Sequence, residues 1–191
     1  IEKNKYKKAV KILGNYYGEW GNQHAQKFRL DKSEEDLKNA IKNFRNALKF
    51  NPTNSFIYCN LALSLCDSII LNGEPYSFDE ALSLFEKAAN LKTDYIIYYN
   101  WGSALTRIGE IRKNATNLKD SLSKFEKALE LNPFFTEIYN DWGYCLEVLS
   151  KLVDDKSLLI ESISMYRKAL LFNEQTLRIS NNLGLALRDL A

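Results

Sequence analysis

The segment YYNWGSAL, residues 98–105, decides the fold of this chain of 191 residues. Its large side chains Tyr98, Trp101 and Leu105 follow one another at i, i+3 and i+7, so they share one stripe of an α-helix. Gly102 lies beside this stripe, and a glycine lets the backbone of a second helix approach closely. The segment therefore predicts a helix that packs tightly against a neighbouring helix.

The Trp-Gly pair of this segment recurs as Trp-Gly, Leu-Ala or Leu-Gly at intervals of 40 or 41 residues. The five pairs begin at Trp20, Leu61, Trp101, Trp142 and Leu183. An alanine stands 27 residues after the start of each of the first four pairs, at Ala47, Ala88, Ala128 and Ala169. Two landmarks that keep one phase through four units indicate an internal repeat.

Each unit is expected to be a helix pair, A and then B. An aromatic residue stands three places before each alanine, at Phe44, Phe85, Phe125 and Tyr166, which is a helical spacing. The A helices are predicted near residues 12–28, 55–71, 95–112, 136–152 and 177–190, and the B helices near 33–50, 78–92, 118–131 and 157–172. Ser77 and Glu80 have the spacing of a capping box that opens a B helix.

We expect one repeat domain over residues 1–191, cut from a longer protein because the chain begins with Ile1 rather than Met. The repeats are predicted at residues 12–54, 55–94, 95–135 and 136–176, followed by a fifth A helix or a capping helix at 177–191. The predicted fold class is all-α, a right-handed α-solenoid of stacked antiparallel helix pairs.

These columns resemble the tetratricopeptide repeat. The third unit carries the pattern of that family at Tyr98, Trp101, Gly102, Leu105, Ser121, Phe125, Ala128 and Pro133. The resemblance extends from about residue 15 onward and implies a superhelix of helix pairs. The family repeat has about 34 residues, so the longer units here imply longer helices, and the groove geometry of the family transfers only in outline.

The resemblance also implies a concave groove lined by the A helices. One column of it holds Asn60, Asn100, Asp141 and Asn182, and further candidate groove residues are Phe56, Tyr99, Arg107, Asn140, Tyr144 and Glu147. An amide both donates and accepts hydrogen bonds, so this column is suited to hold the backbone of an extended segment. The alternative is that these side chains bridge neighbouring helices.

Composition disfavours other functions. Lys plus Arg is 26 and Asp plus Glu is 24, a balance that makes nucleic acid an unlikely partner because phosphate binding needs excess cations. We predict no enzyme, no cofactor and no metal site. His24 is the only histidine, and we expect it to be half-buried or hydrogen-bonded; Cys59 and Cys66 are expected to be buried small side chains.

The sequence therefore predicts a scaffold that binds an extended or helical segment of a partner protein in the groove. One alternative is a structural or self-associating spacer, which would form homo-oligomers. Another is a helical-repeat RNA-processing factor. No apolar run is long enough to predict a membrane span. Three cysteines without a disulfide pattern favour an intracellular location, in the cytoplasm or the nucleus.

Overall fold

A computed structural model describes residues 2–73, 76–172 and 177–191. In these ranges the chain forms nine α-helices and no strand, which agrees with the predicted all-α class. Contacts divide the chain into two units, Ile1–Thr93 and Asp94–Ala191, and each is described by itself. The single domain and its repeat boundaries stay predictions.

The first unit contains four helices, α1 (Glu2–Asp31), α2 (Glu34–Phe50), α3 (Ser55–Asn72) and α4 (Phe78–Leu91). Helix α1 packs against α2, and α3 packs against α4 and α2. The predicted start of the first helix near residue 12 is wrong, because α1 begins ten residues earlier. The segment before Gly14 is rich in lysine, which favours helix, and contains no proline.

The predicted capping box at the start of α4 forms only in part. Ser77 caps the helix, but its hydroxyl accepts from the amide of Asp79 at 3.1 Å. The carboxylate of Glu80 accepts instead from the Arg45 guanidinium at 2.8 Å. Glu80 therefore pairs with Arg45 of α2 and does not complete the capping box. Between the predicted helices at 55–71 and 78–92, positions 74 and 75 lie outside the described residues.

The second unit contains five helices in the described ranges, α5 (Tyr95–Ile111), α6 (Ala115–Leu131), α7 (Thr136–Val153), α8 (Lys156–Phe172) and α9 (Leu177–Leu190). Consecutive helices α5 to α9 pack as neighbours. Helix α6 begins at Ala115 rather than near residue 118, because Asn114 is its N-cap. The Asn114 side chain accepts from the amides of Thr116 and Asn117 at 2.9 and 3.1 Å.

The glycines of the repeat explain how each A helix meets its B helix. A Cβ built on Gly102 would lie 2.8 Å from the Phe125 ring, a separation that real Cβ atoms do not show. Gly143 meets Tyr166 at the same distance, and Gly21 meets Phe44 at 2.6 Å. All three rings are fully buried. The A and B helices therefore pack as the Trp-Gly pairs predict, with a ring in contact with bare backbone.

Helix α3 is the most apolar helix of the first unit. By length and composition alone it meets the requirement for crossing a membrane, yet 67% of it is buried within the protein. Such burial is typical of a core helix, so the feature is weak evidence for a membrane span. Cys59 and Cys66 on α3 are fully buried, as predicted, and Cys145 is also buried.

One buried carboxylate fastens the start of α2 to α1. Asp36 is 4% exposed, and it contacts the Nδ1 atom of His24 at 2.7 Å and the Nζ atom of Lys27 at 2.8 Å. His24 is half-buried and hydrogen-bonded, as the sequence predicts. The hydrogen bonds from Lys27 and with His24 hold the pKa of Asp36 below its ordinary value.

Asp36→Asn is expected to lower stability at pH 7 and to remove part of the acid sensitivity of the fold. Because the pKa of Asp36 is lower in the folded state, its contribution is present above the unfolded value of about 3.9 and is lost as pH falls through the folded value. Urea titrations at pH 7 and at about pH 3 measure this. The control is Asp79→Asn, an exposed aspartate in the first turn of α4. An equal stability difference at both pH values would contradict the role of Asp36.

Candidate protein-interaction surface

In the first unit, α1 and α3 border a polar furrow of about 410 Å³. Its lining residues are Glu19, Asn22, Ala25, Gln26, Arg29, Asn60 and Ser64. All but Ala25 carry polar side chains, so the furrow is suited to hydrogen bonding rather than to apolar binding. The residues come from the faces of α1 and α3 that do not pack on α2 and α4.

Asn60 is the predicted groove residue at the centre of this furrow. Its side-chain Nδ2 atom donates to the Oδ1 atom of Asn22 at 2.8 Å. An amide group has two N–H donors and an oxygen with two lone pairs. This one bond fixes the orientation of both side chains and leaves each with further hydrogen-bonding capacity on the half-buried surface of the furrow.

The furrow continues toward the start of α3, where Asn15, Glu19, Asn54 and Phe56 line a second depression. The Phe56 ring is 37% exposed, and the Nζ atom of Lys92 lies 4.6 Å from its centroid. Phe56 therefore adds an accessible apolar surface, flanked by a cation, to the amide-lined furrow.

In the second unit, Asp141 on α7 is the acceptor of a network that joins three A helices. Its Oδ2 atom accepts from the Tyr99 hydroxyl at 2.9 Å and from the Ser103 hydroxyl at 3.0 Å, both on α5. Its Oδ1 atom accepts from the Asn140 amide at 2.9 Å and lies 3.9 Å from the Arg178 guanidinium on α9. Several donors thus converge on one carboxylate.

Asn182 on α9 extends this network, since its Nδ2 atom donates to the Oδ1 atom of Asn140 at 3.1 Å. The bond from Ser103 to Asp141 repeats the register of the bond between Asn22 and Asn60, because each joins residues 38 positions apart. Side chains of the predicted groove column therefore bridge adjacent A helices within each unit. This is the second of the two roles that the sequence leaves open.

The remaining predicted groove residues differ in accessibility. Asn140 is 2% exposed and Glu147 is 9% exposed, so both lie beneath the surface. Glu147 turns toward α8, where it accepts from the Tyr166 hydroxyl at 3.2 Å, and it also binds Lys151 at 2.7 Å. Of these two bonds, the one from Tyr166 joins α7 to α8 and the one from Lys151 lies within α7.

Three further candidates are Asn100, Arg107 and Tyr144. Arg107 is exposed and Asn100 is half-buried. Tyr144 is half-buried, and its hydroxyl donates to Glu110 at 2.7 Å. The structure thus brings together Tyr99, Asn140, Asp141 and Asn182, and it places Asn60 and Phe56 in the other unit.

Both tyrosines of this surface are held as neutral hydrogen-bond donors. Burial raises the pKa of Tyr99 above its ordinary value, and the charge of Asp141 raises it further. Burial likewise raises the pKa of Tyr144, with a contribution from the hydrogen bond to Glu110. At neutral pH both hydroxyls remain protonated.

Asn22 is not among the groove residues that the sequence predicts, although its bond to Asn60 matches the bond from Ser103 to Asp141. Asn22 and Ser103 occupy one column of the repeat, three places after the Asn60 column, where the other units have Leu63, Tyr144 and Leu185. The leucines conceal the polar character of this column in a repeat alignment. The signal that could have found it is the spacing of 38 residues to Asn60 and Asp141.

The chemistry of the described surface is that of hydrogen bonding. Within residues 2–73, 76–172 and 177–191, no group of three or more His, Cys, Asp or Glu side chains is arranged to hold a metal ion. What the surface offers a ligand is amide, hydroxyl and carboxylate groups on two sets of A helices.

Comparison with protein-family models gives no match, and comparison with curated protein sequences gives none either. Solved structures do match. The chain resembles the MamA protein at 20% identity, covering 92% of this chain and 81% of that one, with a TM-score of 0.60. It resembles YrrB, a TPR protein with an unusual peptide-binding site, at 18% identity over 91% of this chain and 75% of that one, with a TM-score of 0.57.

The chain has the tetratricopeptide-repeat fold. This confirms the resemblance drawn from the sequence columns. The tetratricopeptide fold is also shared with a human IFIT1 dimer solved with PPP-AAAA, at 17% identity and a TM-score of 0.65, over 89% of this chain and 38% of that one. Helical-repeat folds of this kind present extended surfaces to binding partners.

Proposed function

We propose that this tetratricopeptide chain is a scaffold that binds an extended segment of a partner protein along its A helices. The observation that carries the proposal is the furrow between α1 and α3, whose lining is rich in amides. Amide side chains pair with both the N–H and the C=O of a peptide backbone. Such a furrow holds an extended chain with little dependence on its sequence.

Phe56, Glu19 and Arg29 supply the selectivity in this proposal. Phe56 offers an exposed ring to an apolar side chain of the partner. Glu19 and Arg29 both line the furrow, so they favour opposite charges at different places along the bound segment. Rim charges of this kind direct orientation more than they add affinity.

In the second unit, the residues proposed to contact the partner are the accessible ones, Asn100, Arg107, Asp141, Tyr144 and Asn182. Tyr99 and Asn140 orient Asp141 through hydrogen bonds. Glu147 accepts a hydrogen bond from Tyr166 on α8 instead of facing the partner. Asp141 already accepts several hydrogen bonds, so its proposed role is to fix the positions of the surrounding side chains. The remaining lone pairs of its carboxylate oxygens can accept a hydrogen bond from the partner.

The test is affinity capture with quantitative mass spectrometry, comparing the wild-type chain with Asn22→Ala/Asn60→Ala. We expect the captured partner to bind at least about tenfold less well to the variant, because two hydrogen bonds of roughly 1 kcal/mol each are lost. The matched control is Asn46→Ala/Asn90→Ala, which removes two amides from the B helices α2 and α4. Equal capture by both variants would reject the furrow as the binding site.

The two alternatives from the sequence have separate tests. A self-associating spacer requires concentration-dependent mass in sedimentation velocity. An RNA-binding factor requires binding of single-stranded RNA that weakens as salt rises; the neighbour solved with PPP-AAAA is the reason to include this arm. The intracellular location remains a proposal, supported by three buried cysteines whose spacing is not that of a disulfide framework.

A further inference from the structure

The furrow between α1 and α3 is one part of a longer channel in the first unit. The second depression, of about 280 Å³, shares Asn22 and Asn60 with the furrow. A third depression, of about 320 Å³, shares Asn15 and Phe56 with the second. Because neighbouring depressions have lining residues in common, the three form one continuous channel between two helices, which we call the α1–α3 channel.

The channel follows one stripe of α1. The α1 residues at its charged and amide positions are three or four places apart, a spacing that keeps them on one side of the helix. They are Lys11, Asn15, Glu19, Asn22, Gln26 and Arg29. With a rise of about 1.5 Å per residue, the helix advances about 27 Å from Lys11 to Arg29. An extended peptide advances about 3.3 Å per residue, so about nine residues span this length.

The charges along the channel alternate in sign. Lys11 and Lys92 line the depression at one end. Glu19 lines the middle depression, and Arg29 lines the furrow at the other end. All four side chains are exposed. In the described ranges Lys11, Glu19 and Arg29 form no ion pair, so their charges are open to a ligand that enters the channel.

The spacing of these charges matches an extended ligand. Along the axis of α1, Lys11 and Glu19 are about 12 Å apart, and Glu19 and Arg29 are about 15 Å apart. In an extended segment these lengths correspond to about four and about five residues. The amides of Asn15 and Asn22 lie between the charges, where they can pair with the backbone of that segment. Exposed charges add little affinity, but they penalise a segment with like charges at the same places.

We infer, building on the proposed function, that the segment bound in the α1–α3 channel carries an acidic residue near each end and a basic residue near its centre. This order of charges is the same in both directions of the segment, so it does not depend on which way the bound chain runs. The order base-acid-base would put like charges together at all three places. The order acid-acid-base would do so at Glu19 and Arg29.

The test is selection of binding sequences from a displayed library of random decapeptides, with the full 191-residue chain at low salt. We expect Asp or Glu near both ends of the selected peptides and Lys or Arg near the centre. Glu19→Lys is expected to select an acidic centre, and Arg29→Glu a basic residue at one end. The matched control is Glu86→Lys, which reverses an exposed glutamate on α4 and is expected to select as wild type does.

A charge exchange between chain and peptide separates recognition from a structural effect. One peptide selected by the wild-type chain is measured by fluorescence anisotropy. Glu19→Lys is expected to weaken its binding at least about fivefold, because an attraction becomes a repulsion. Replacing the central basic residue of the peptide with glutamate is expected to restore binding to Glu19→Lys and to weaken binding to wild type. A structural defect of the variant would not be reversed by a change in the peptide.

Circular dichroism checks that Glu19→Lys folds, and Arg29→Glu provides the same exchange at one end of the channel if it does not. Selected peptides without a preferred order of charges, or with the same order for wild type and Glu19→Lys, would overturn the inferred charge order and leave the furrow as the binding site. If no peptide is selected, or if Asn22→Ala/Asn60→Ala selects the same peptides equally well, the proposed function fails and the charge order fails with it.

Discussion

Phe125→Ala is expected to lower the free energy of unfolding by about 3–5 kcal/mol, as is typical when a fully buried ring is removed. The Phe125 ring is fully buried, and it covers Gly102 so closely that a Cβ on that glycine would lie 2.8 Å away. Removing the ring leaves a cavity at the contact between α5 and α6. Urea unfolding followed by circular dichroism measures the change.

A double-mutant cycle tests whether the ring and the glycine act as a pair. Gly102→Ala alone is expected to cost about 1–3 kcal/mol through overpacking against the ring. In Gly102→Ala/Phe125→Ala the ring is absent and the new methyl group occupies part of the cavity. The double variant is therefore expected to be more stable than the sum of the two single changes predicts.

Gly184→Ala is the matched control for this cycle, since it makes the same change at the equivalent repeat position. Among the described residues outside its own helix, no heavy atom lies within 4 Å of a Cβ built on that glycine. Alanine favours a helix interior over glycine by up to about 1 kcal/mol, so this variant is expected to be as stable as wild type or more so. Additive effects in the cycle, or destabilisation by Gly184→Ala equal to that of Gly102→Ala, would contradict the packing described.

Asp141→Ala is expected to destabilise the chain by about 2–3 kcal/mol. The carboxylate accepts from Tyr99, Ser103 and Asn140, and hydrogen bonds to charged groups contribute about 1.5–3 kcal/mol. Its removal leaves the half-buried hydroxyls of Tyr99 and Ser103 and the buried amide of Asn140 without this acceptor. Thermal and urea unfolding of the variant measure the loss.

Asp120→Ala is the control for Asp141→Ala, because Asp120 is an exposed aspartate on α6. Its effect is expected to stay within about 0.5 kcal/mol. If Asp141→Ala is no more destabilising than this control, the network does not join α5 to α7. The comparison also shows why Asp141 is a poor choice for testing partner binding, since its loss disturbs the surface itself.

The helix pairs follow from the sequence because they depend on periodicity. The spacing of Trp101, Gly102, Phe125 and Ala128 within one unit, repeated three more times, identifies which faces meet. How closely two helices approach at such a position depends on the sizes of the side chains that meet there. The same columns therefore predict a close approach of the two helices, and the structure shows that the Tyr166 ring fills the contact at Gly143.

For the polar groove column, the sequence predicted which positions belong to it but not their hydrogen-bond partners or their burial. Asn60 and Asp141 occupy equivalent places, but one is paired with a single amide and the other accepts from several side chains. Asn140 was predicted as a groove residue and is buried. Hydrogen-bond partners come from neighbouring helices about 38 residues away, and the repeat pattern does not specify which polar side chains will meet.

The sequence by itself determined the repeat, its phase, the all-α class and the close approach of the helices at the small residues, because these depend on local spacing within a unit. Only the tertiary structure decided that α1 begins at Glu2, that Arg45 diverts Glu80 from the capping box, and that Gly184 is uncovered. Those features depend on what lies against each residue from elsewhere in the chain. A repeat pattern gives equivalent residues the same prediction, whereas packing gives each its own neighbours.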